Sequence, residues 1–226
     1  MRYWKPSTEE TVLQIKQNGF EKIILLPLYP QFSFTTTSSS LHEWERQIQK
    51  HDLAVPTALI EFFYSSTLYI QSLVERINEK MKTFSDIAEE KIQLIFSAHG
   101  VPVSIIKKGD RYQQHIESTV QLITEKGKWK SPHYLCYQSK VGPMKWLQPS
   151  LDATIHKFAE EKKENILIVP VAFVTDHIET LHEINIETRE LAAHLGIHRF
   201  EMTHGLNDSP TFISALSTLV TEKIIT

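Results

Sequence analysis

Runs of unbroken apolar residues alternate with amphipathic stretches from one end of this 226-residue chain to the other. That alternation most constrains the fold. Lys22–Leu28 and Ile166–Val171 carry consecutive Ile, Leu and Val with no polar residue every second position, and Ile92–Phe96 is a further apolar strand with one polar residue, Gln93. A strand of that kind suits burial on both faces of a parallel sheet. Thr57–Phe63 and Tyr134–Gln138 complete a set of five predicted strands. Between them lie helical patterns at about 41–50, 68–84, 112–125, 151–161 and 176–195, with one before the first strand and one closing the chain at 211–225. Ser7 and Glu10 have capping-box spacing at the first of these, and Gly19 suits its stop. Alternating β and α elements imply an α/β fold of parallel sheets flanked by helices. The polar stretch from Ser85 to Glu90 marks a boundary between two units, 1–88 and 89–207, and the closing helix at about 208–226 is expected to pack back on the first.

Composition narrows the function. Hydrophobic residues make up 41% and charged residues 23%, enough for a packed core. The formal charge of −3 gives no basic footprint for nucleic acid. A single cysteine, Cys136, excludes an intrachain disulfide and fits a reducing compartment. Without a run near the roughly 20 apolar residues that span a bilayer, or a signal-peptide core, the chain reads as cytoplasmic. There is no Gly-rich phosphate loop, Walker lysine or Gly-x-Ser-x-Gly elbow, and Cys136 falls inside a predicted strand. Nucleotide and nucleophilic hydrolase chemistry are thereby disfavoured.

In parallel sheets, ligands collect beyond the carboxyl ends of strands. Tyr29-Pro30-Gln31, His99 and Phe173–Glu179 all fall there. His99, at a strand tip before Gly100, suits a general base or a ligand, or else a structural histidine bonding a loop. Asp176, Glu179 and Glu183 are spaced to share one helical face, with Glu187 extending the line. An ordinary acidic first turn accounts for Asp176 and Glu179 but leaves Glu183, Glu187, His177 and His182 over. Mixed His and carboxylate donors suit Fe²⁺ and similar cations, and the spacing is not that of a structural zinc site. Trp146, beside a Gly-Pro turn, is suited to stacking on a flat ligand or to anchoring a core. The hydroxyl-rich Phe34–Ser40 run reads as a loop and capped helix start, or as a cradle for a carboxylate or phosphate.

Six stretches resemble the ferrochelatase family, in family order and over nearly the whole chain. They are Arg2-Tyr3, Tyr29-Pro30-Gln31-Phe32-Ser33, Ser97-Ala98-His99-Gly100-Val101-Pro102, Gly109-Asp110-Arg111-Tyr112, the run from Gln138 to Leu147, and the run from Val169 to Leu181. The last two are specific. The resemblance implies two Rossmann-like, chelatase-type domains around a porphyrin cleft, the first incomplete, because family chains carry a further N-terminal stretch ahead of the position matching Met1. It implies insertion of Fe²⁺ into protoporphyrin IX in haem biosynthesis, with His99 as proton acceptor or metal ligand. Glu179 would face it, and Asp176, His177, Glu183 and Glu187 would form an acidic path on a partly π-helical segment. Tyr29, Trp146, Phe173, Arg2, Tyr3 and Ser33 would contact the porphyrin. Porphyrin and Fe²⁺ are then substrates, no resident cofactor is required, and no iron–sulfur cluster is expected. Peripheral membrane contact and oligomeric state stay open. The Ser-Lys-Val-Gly-Pro-Met loop resembles the protoporphyrin-using branch more than the coproporphyrin-using one. Cobalt or nickel chelatases, which usually place two histidines at the metal, and a non-catalytic haem- or metal-binding remnant are the alternatives.

Overall fold

The computed structural model describes residues 5–140 and 142–225. Two parallel sheets organise them. The smaller pairs β1 (Ile23–Leu25) with β2 (Thr57–Leu59). The larger has four parallel strands in the order β4 (His133–Gln138), β3 (Ile92–His99), β5 (Asn165–Pro170), β6 (Arg199–Met202). Helices α1 (Thr8–Asn18), α2 (Ser39–Lys50), α3 (Thr67–Met81), α4 (Val103–Lys107), α5 (Tyr112–Gly127), α6 (Leu151–Glu160), α7 (Ile178–His182), α8 (Arg189–His194) and α9 (Pro210–Ile225) connect and cover them.

The first helix starts as its sequence signals require. Ser7 Oγ accepts from the Glu10 N–H at 3.2 Å, Glu10 Oε2 accepts from the Ser7 N–H at 2.6 Å, and Gly19 ends the helix at φ +68°.

β3 shows why its apolar residues do not alternate with polar ones. Leu94 and Phe96 enter one apolar cluster with α3, α5 and α9, while Ile95 enters another with α6, α8 and Cys136. β5 alternates likewise, Leu167 and Val169 to the first face, Ile166 and Ile168 to the second. Both faces are dry, so both parities are apolar. The first cluster runs across the polar stretch at 85–90: Tyr69, Leu73 and Ile77 of α3 pack with Ile116 of α5 and Phe212 of α9.

Three boundaries differ from expectation. The Ser/Thr-rich run is not a loop: Phe34–Ser38 forms a π-helical turn leading into α2, capped by Ser33. β6 is an additional strand, an edge of four residues that buries Phe200 and Met202. The long helix starts at Ile178 rather than Asp176, and Glu183–Thr188 is π-helical. Among the described residues, no helix is long and apolar enough to cross a membrane.

Candidate active site

Parallel register brings the chemistry to one edge of the larger sheet. His99 pairs with Gln138, and Ser97 pairs with Pro170, so β3, β4 and β5 end side by side. The segments leaving those ends carry His99, Gln138-Ser139 and Phe173–Glu179.

His99 Nδ1 lies 2.8 Å from Glu179 Oε1. The side chains are 41% and 31% exposed, open enough to meet a ligand. A carboxylate at Nδ1 fixes the proton on that nitrogen and leaves the Nε2 lone pair as the base. Nε2 has no hydrogen-bond partner among the described residues. The buried Tyr112 hydroxyl donates to the His99 carbonyl at 2.9 Å, holding the strand tip. Phe173 meets the His99 ring edge-on, with centroids 6.2 Å apart, and stacks on His177 at 5.7 Å.

Trp146 is placed by a short antiparallel bridge to Pro102, supported by Val103 N–H to the Lys145 carbonyl at 2.8 Å. A Cβ on Gly100 would come within 3.3 Å of the indole and 2.8 Å of the Gln138 carbonyl oxygen. Glycine therefore permits Trp146 to lie beside the residue that follows His99.

The acidic line is partly redirected. Glu179 and Glu183 both meet Ser139 Oγ, the first at 2.6 Å, and Gln138 Nε2 donates to Glu183 Oε2 at 3.1 Å. Glu183 and Glu187 line a cavity of about 450 Å³ with Asp152, Lys140 and Thr188. Glu187 is well exposed and sits 3.6 Å from His182 Nδ1. The π turn is held by side chains: Thr188 Oγ1 donates to the Glu183 carbonyl at 2.6 Å, and Arg189 Nε to the Asn185 carbonyl at 3.2 Å.

Asp176 and His177 do not join that line. Asp176 precedes the helix, accepting from the Gly205 N–H at 2.8 Å and the Asn207 amide at 2.8 Å. Partial burial works to raise its carboxyl, and these two hydrogen bonds outweigh it, holding the group below the usual range. His177 is the helix N-cap, its Nδ1 accepting from the Glu179 N–H at 3.3 Å. Among the described residues, no three His, Cys, Asp or Glu side chains form a ready metal cage. The six-residue ligand set expected from sequence is not assembled.

The expected porphyrin contacts also divide. Phe173 and Trp146 stand beside His99. Tyr29 is exposed and lines a cavity of about 410 Å³ with Thr11, Leu25 and Trp44. Ser33 is buried, donating to Asp110 Oδ2 at 2.8 Å and accepting from the Thr35 N–H; its hydroxyl joins the first unit to the start of α5 rather than facing a ligand. Arg2 and Tyr3 lie outside the described residues. Burial pushes the Cys136 thiol up to about 12, which removes it as a nucleophile.

A sequence profile of ferrochelatases matches residues 1–224. Ferrochelatase from Citrifermentans bemidjiense is 43% identical over 220 residues, covering 97% of this chain and 68% of that protein. The chain belongs to the ferrochelatase family. Ferrochelatase from a Cyanothece strain is 40% identical over 229 residues, and there the chain spans 58% of the relative's length. A Bacillus subtilis SirB structure with Fe³⁺ superposes with a TM-score of 0.69 at 15% identity, covering 97% of this chain and 78% of SirB. CbiX, described as the terminal enzyme of sirohaem biosynthesis in denitrifying bacteria, gives 0.58 at 11% identity, covering 91% and 77%. These structures share the Rossmann-like chelatase fold.

Within this ferrochelatase-family chain, Tyr112 holds the His99 carbonyl and Ser139 holds the Glu179 carboxylate, while Gln138, itself fixed by Ser97, reaches Glu183. Sequence motifs alone give these four residues no role; their position at strand ends next to His99 is the signal that points to them.

Proposed function

We propose that this chain carries the His–Glu face of a site inserting Fe²⁺ into protoporphyrin IX. The single observation supporting it is the 2.8 Å contact between His99 Nδ1 and Glu179 Oε1, both partly open to solvent at the end of the larger sheet. A free-base porphyrin must release two pyrrole protons as one divalent metal enters. His99 Nε2 takes one proton, the Glu179 carboxylate stabilises the imidazolium that forms, and His99 releases that proton to solvent before taking the second. Glu179 and Glu183 supply oxygen donors that replace water on the arriving cation, and the polar cavity beside Glu183 and Glu187 gives cation or proton a route to solvent. Trp146 and Phe173 provide flat apolar surface for the macrocycle. The choice of protoporphyrin over coproporphyrin rests on the Ser139–Met144 loop.

The test is anaerobic incubation of the purified chain with Fe²⁺ or Zn²⁺ and either porphyrin, following porphyrin absorbance. Turnover that falls at least about a hundredfold in His99→Ala and Glu179→Gln is expected, because each removes a group acting on the transferred proton. Stoichiometric porphyrin binding without turnover would replace this reading with a non-catalytic tetrapyrrole binder.

A further inference from the structure

Ser139 is strained and shared. Its φ is +64°, a left-handed conformation that disfavours any residue with a Cβ. Such strain persists only where surrounding contacts enforce it, and it concentrates at functional sites. The enforcing contacts are two carboxylates: Oγ lies 2.6 Å from Glu179 Oε1 and also hydrogen-bonds Glu183 Oε2. Glu183 Oε2 takes a second hydrogen bond from Gln138 Nε2. The orientation of that amide is set from inside the sheet, since Ser97 Oγ donates to Gln138 Oε1 at 2.8 Å. Ser97 and Gln138 are both buried. A fixed line of hydrogen bonds thus runs from the core of β3 through the end of β4 to both glutamates.

The line fixes where the two carboxylates meet. Glu179 and Glu183 are one α-helical turn apart, the Glu183 N–H bonding the Glu179 carbonyl, so the backbone puts both side chains on one face but does not set their rotamers. Among the described residues, Ser139 is the side chain that hydrogen-bonds both. A hydroxyl has one proton and donates to one acceptor at a time. Two carboxylate oxygens gathered around one hydroxyl repel each other, and a divalent cation between them relieves that repulsion.

We propose that Ser139 is a positioning residue of the insertion site. Its hydroxyl clamps Glu179 and Glu183 side by side, so an incoming divalent cation meets a preformed oxygen pair before it reaches His99. The clamp rests on the insertion reading above.

Three variants of the full chain test it. Ser139→Ala removes the hydroxyl and keeps the backbone strain. Ser139→Gly removes the hydroxyl and relieves the strain, so it should be at least as stable as the alanine variant. Ser139→Asn tolerates the left-handed conformation and returns a donor. With Zn²⁺ and protoporphyrin, alanine and glycine should each raise the metal KM by about tenfold or more, the usual effect of losing a group that orients a metal ligand. Porphyrin affinity, read by fluorescence quenching, should fall by less than the metal KM rises, because the flat apolar surface of Trp146 and Phe173 is unchanged. Asparagine should recover most of the loss. Wild-type metal KM and kcat in both alanine and glycine variants, or a defect confined to porphyrin affinity, would overturn the clamp. Calorimetric titration with Zn²⁺ alone separates the two levels. If wild type shows no insertion, the functional reading fails, and Zn²⁺ binding that is as tight in Ser139→Gly as in wild type also sinks the clamp.

Discussion

Asp110 joins the first unit to the start of α5, and replacing it should be costly in a graded way. The residue is 5% exposed. Its Oδ2 accepts from Ser33 Oγ at 2.8 Å and from the Phe34 N–H at 2.6 Å, while Oδ1 accepts from the Tyr112 N–H at 2.8 Å. Each hydrogen bond to a charged acceptor contributes about 1.5–3 kcal/mol. In Asp110→Asn the amide oxygen can keep Tyr112, and Ser33 can turn to accept from the new NH₂. The Phe34 N–H then faces a donor. One bond is lost, its donor is stranded, and the two bonds that remain lose their charge assistance, a cost of about 2–3 kcal/mol or more. Asp110→Ala loses all three acceptor contacts and should cost about 4 kcal/mol or more, partly offset if water enters. In urea, the asparagine variant should shift the midpoint down by about 1 M at unchanged slope. A stability within about 0.5 kcal/mol of wild type for asparagine, or an alanine variant no worse than asparagine, would refute the assignment of Asp110 as the joint.

Gly100→Ala should cost about 1–3 kcal/mol, because the new Cβ meets the backbone carbonyl of Gln138 at 2.8 Å. Gly142→Ala, at φ +70° with open space around it, should cost only the conformational penalty of about 1 kcal/mol, so equal losses in denaturant would contradict the steric account. His115 is held below its ordinary 6.5, first by burial and then by the Arg111 charge; its Nδ1 accepts from the Phe32 N–H at 3.2 Å. Its neutral form therefore contributes stability that is present above pH 6.5 and lost as pH falls toward the folded value. Plotted against pH, the stability of wild type relative to His115→Gln should decline on the acid side of 6.5; a flat difference would show that His115 does not couple folding to protons.

The strands that read clearly from sequence are those buried on two faces. β3 and β5 print their environment as runs that are apolar on both parities, interrupted in β3 by the buried Gln93 and Ser97, because neither face of the strand reaches water. β6 prints almost nothing. It is an edge of four residues, Arg-Phe-Glu-Met, and two buried side chains in alternation do not rise above the pattern of a loop. β1 is shorter than its apolar run, since β2 offers it only three partners. The apolar stretch reports burial, and the hydrogen-bonding partner decides how much of it is strand.

The site divides along the same line between local and tertiary causes. Strand-end placement is local, and it put His99 and the Phe173–Glu179 segment on one edge before any contact was known. Asp176 stands off the helical face because counting i, i+3 and i+7 presumes that the helix has already begun. His177 takes the N-cap, so the helix begins beyond Asp176, whose carboxylate is captured by a loop some thirty residues away in sequence. The family resemblance implied a π-helical segment, but which carbonyls it frees, and that Thr188 and Arg189 absorb them, depends on side chains folding back on their own helix. Ser139 is the extreme case. Nothing in a serine before a lysine announces that two glutamates some forty residues onward will converge on its hydroxyl. Its place beside them depends on β4 and β5 both being in register with β3, which makes register the quantity from which the acidic half of this site follows.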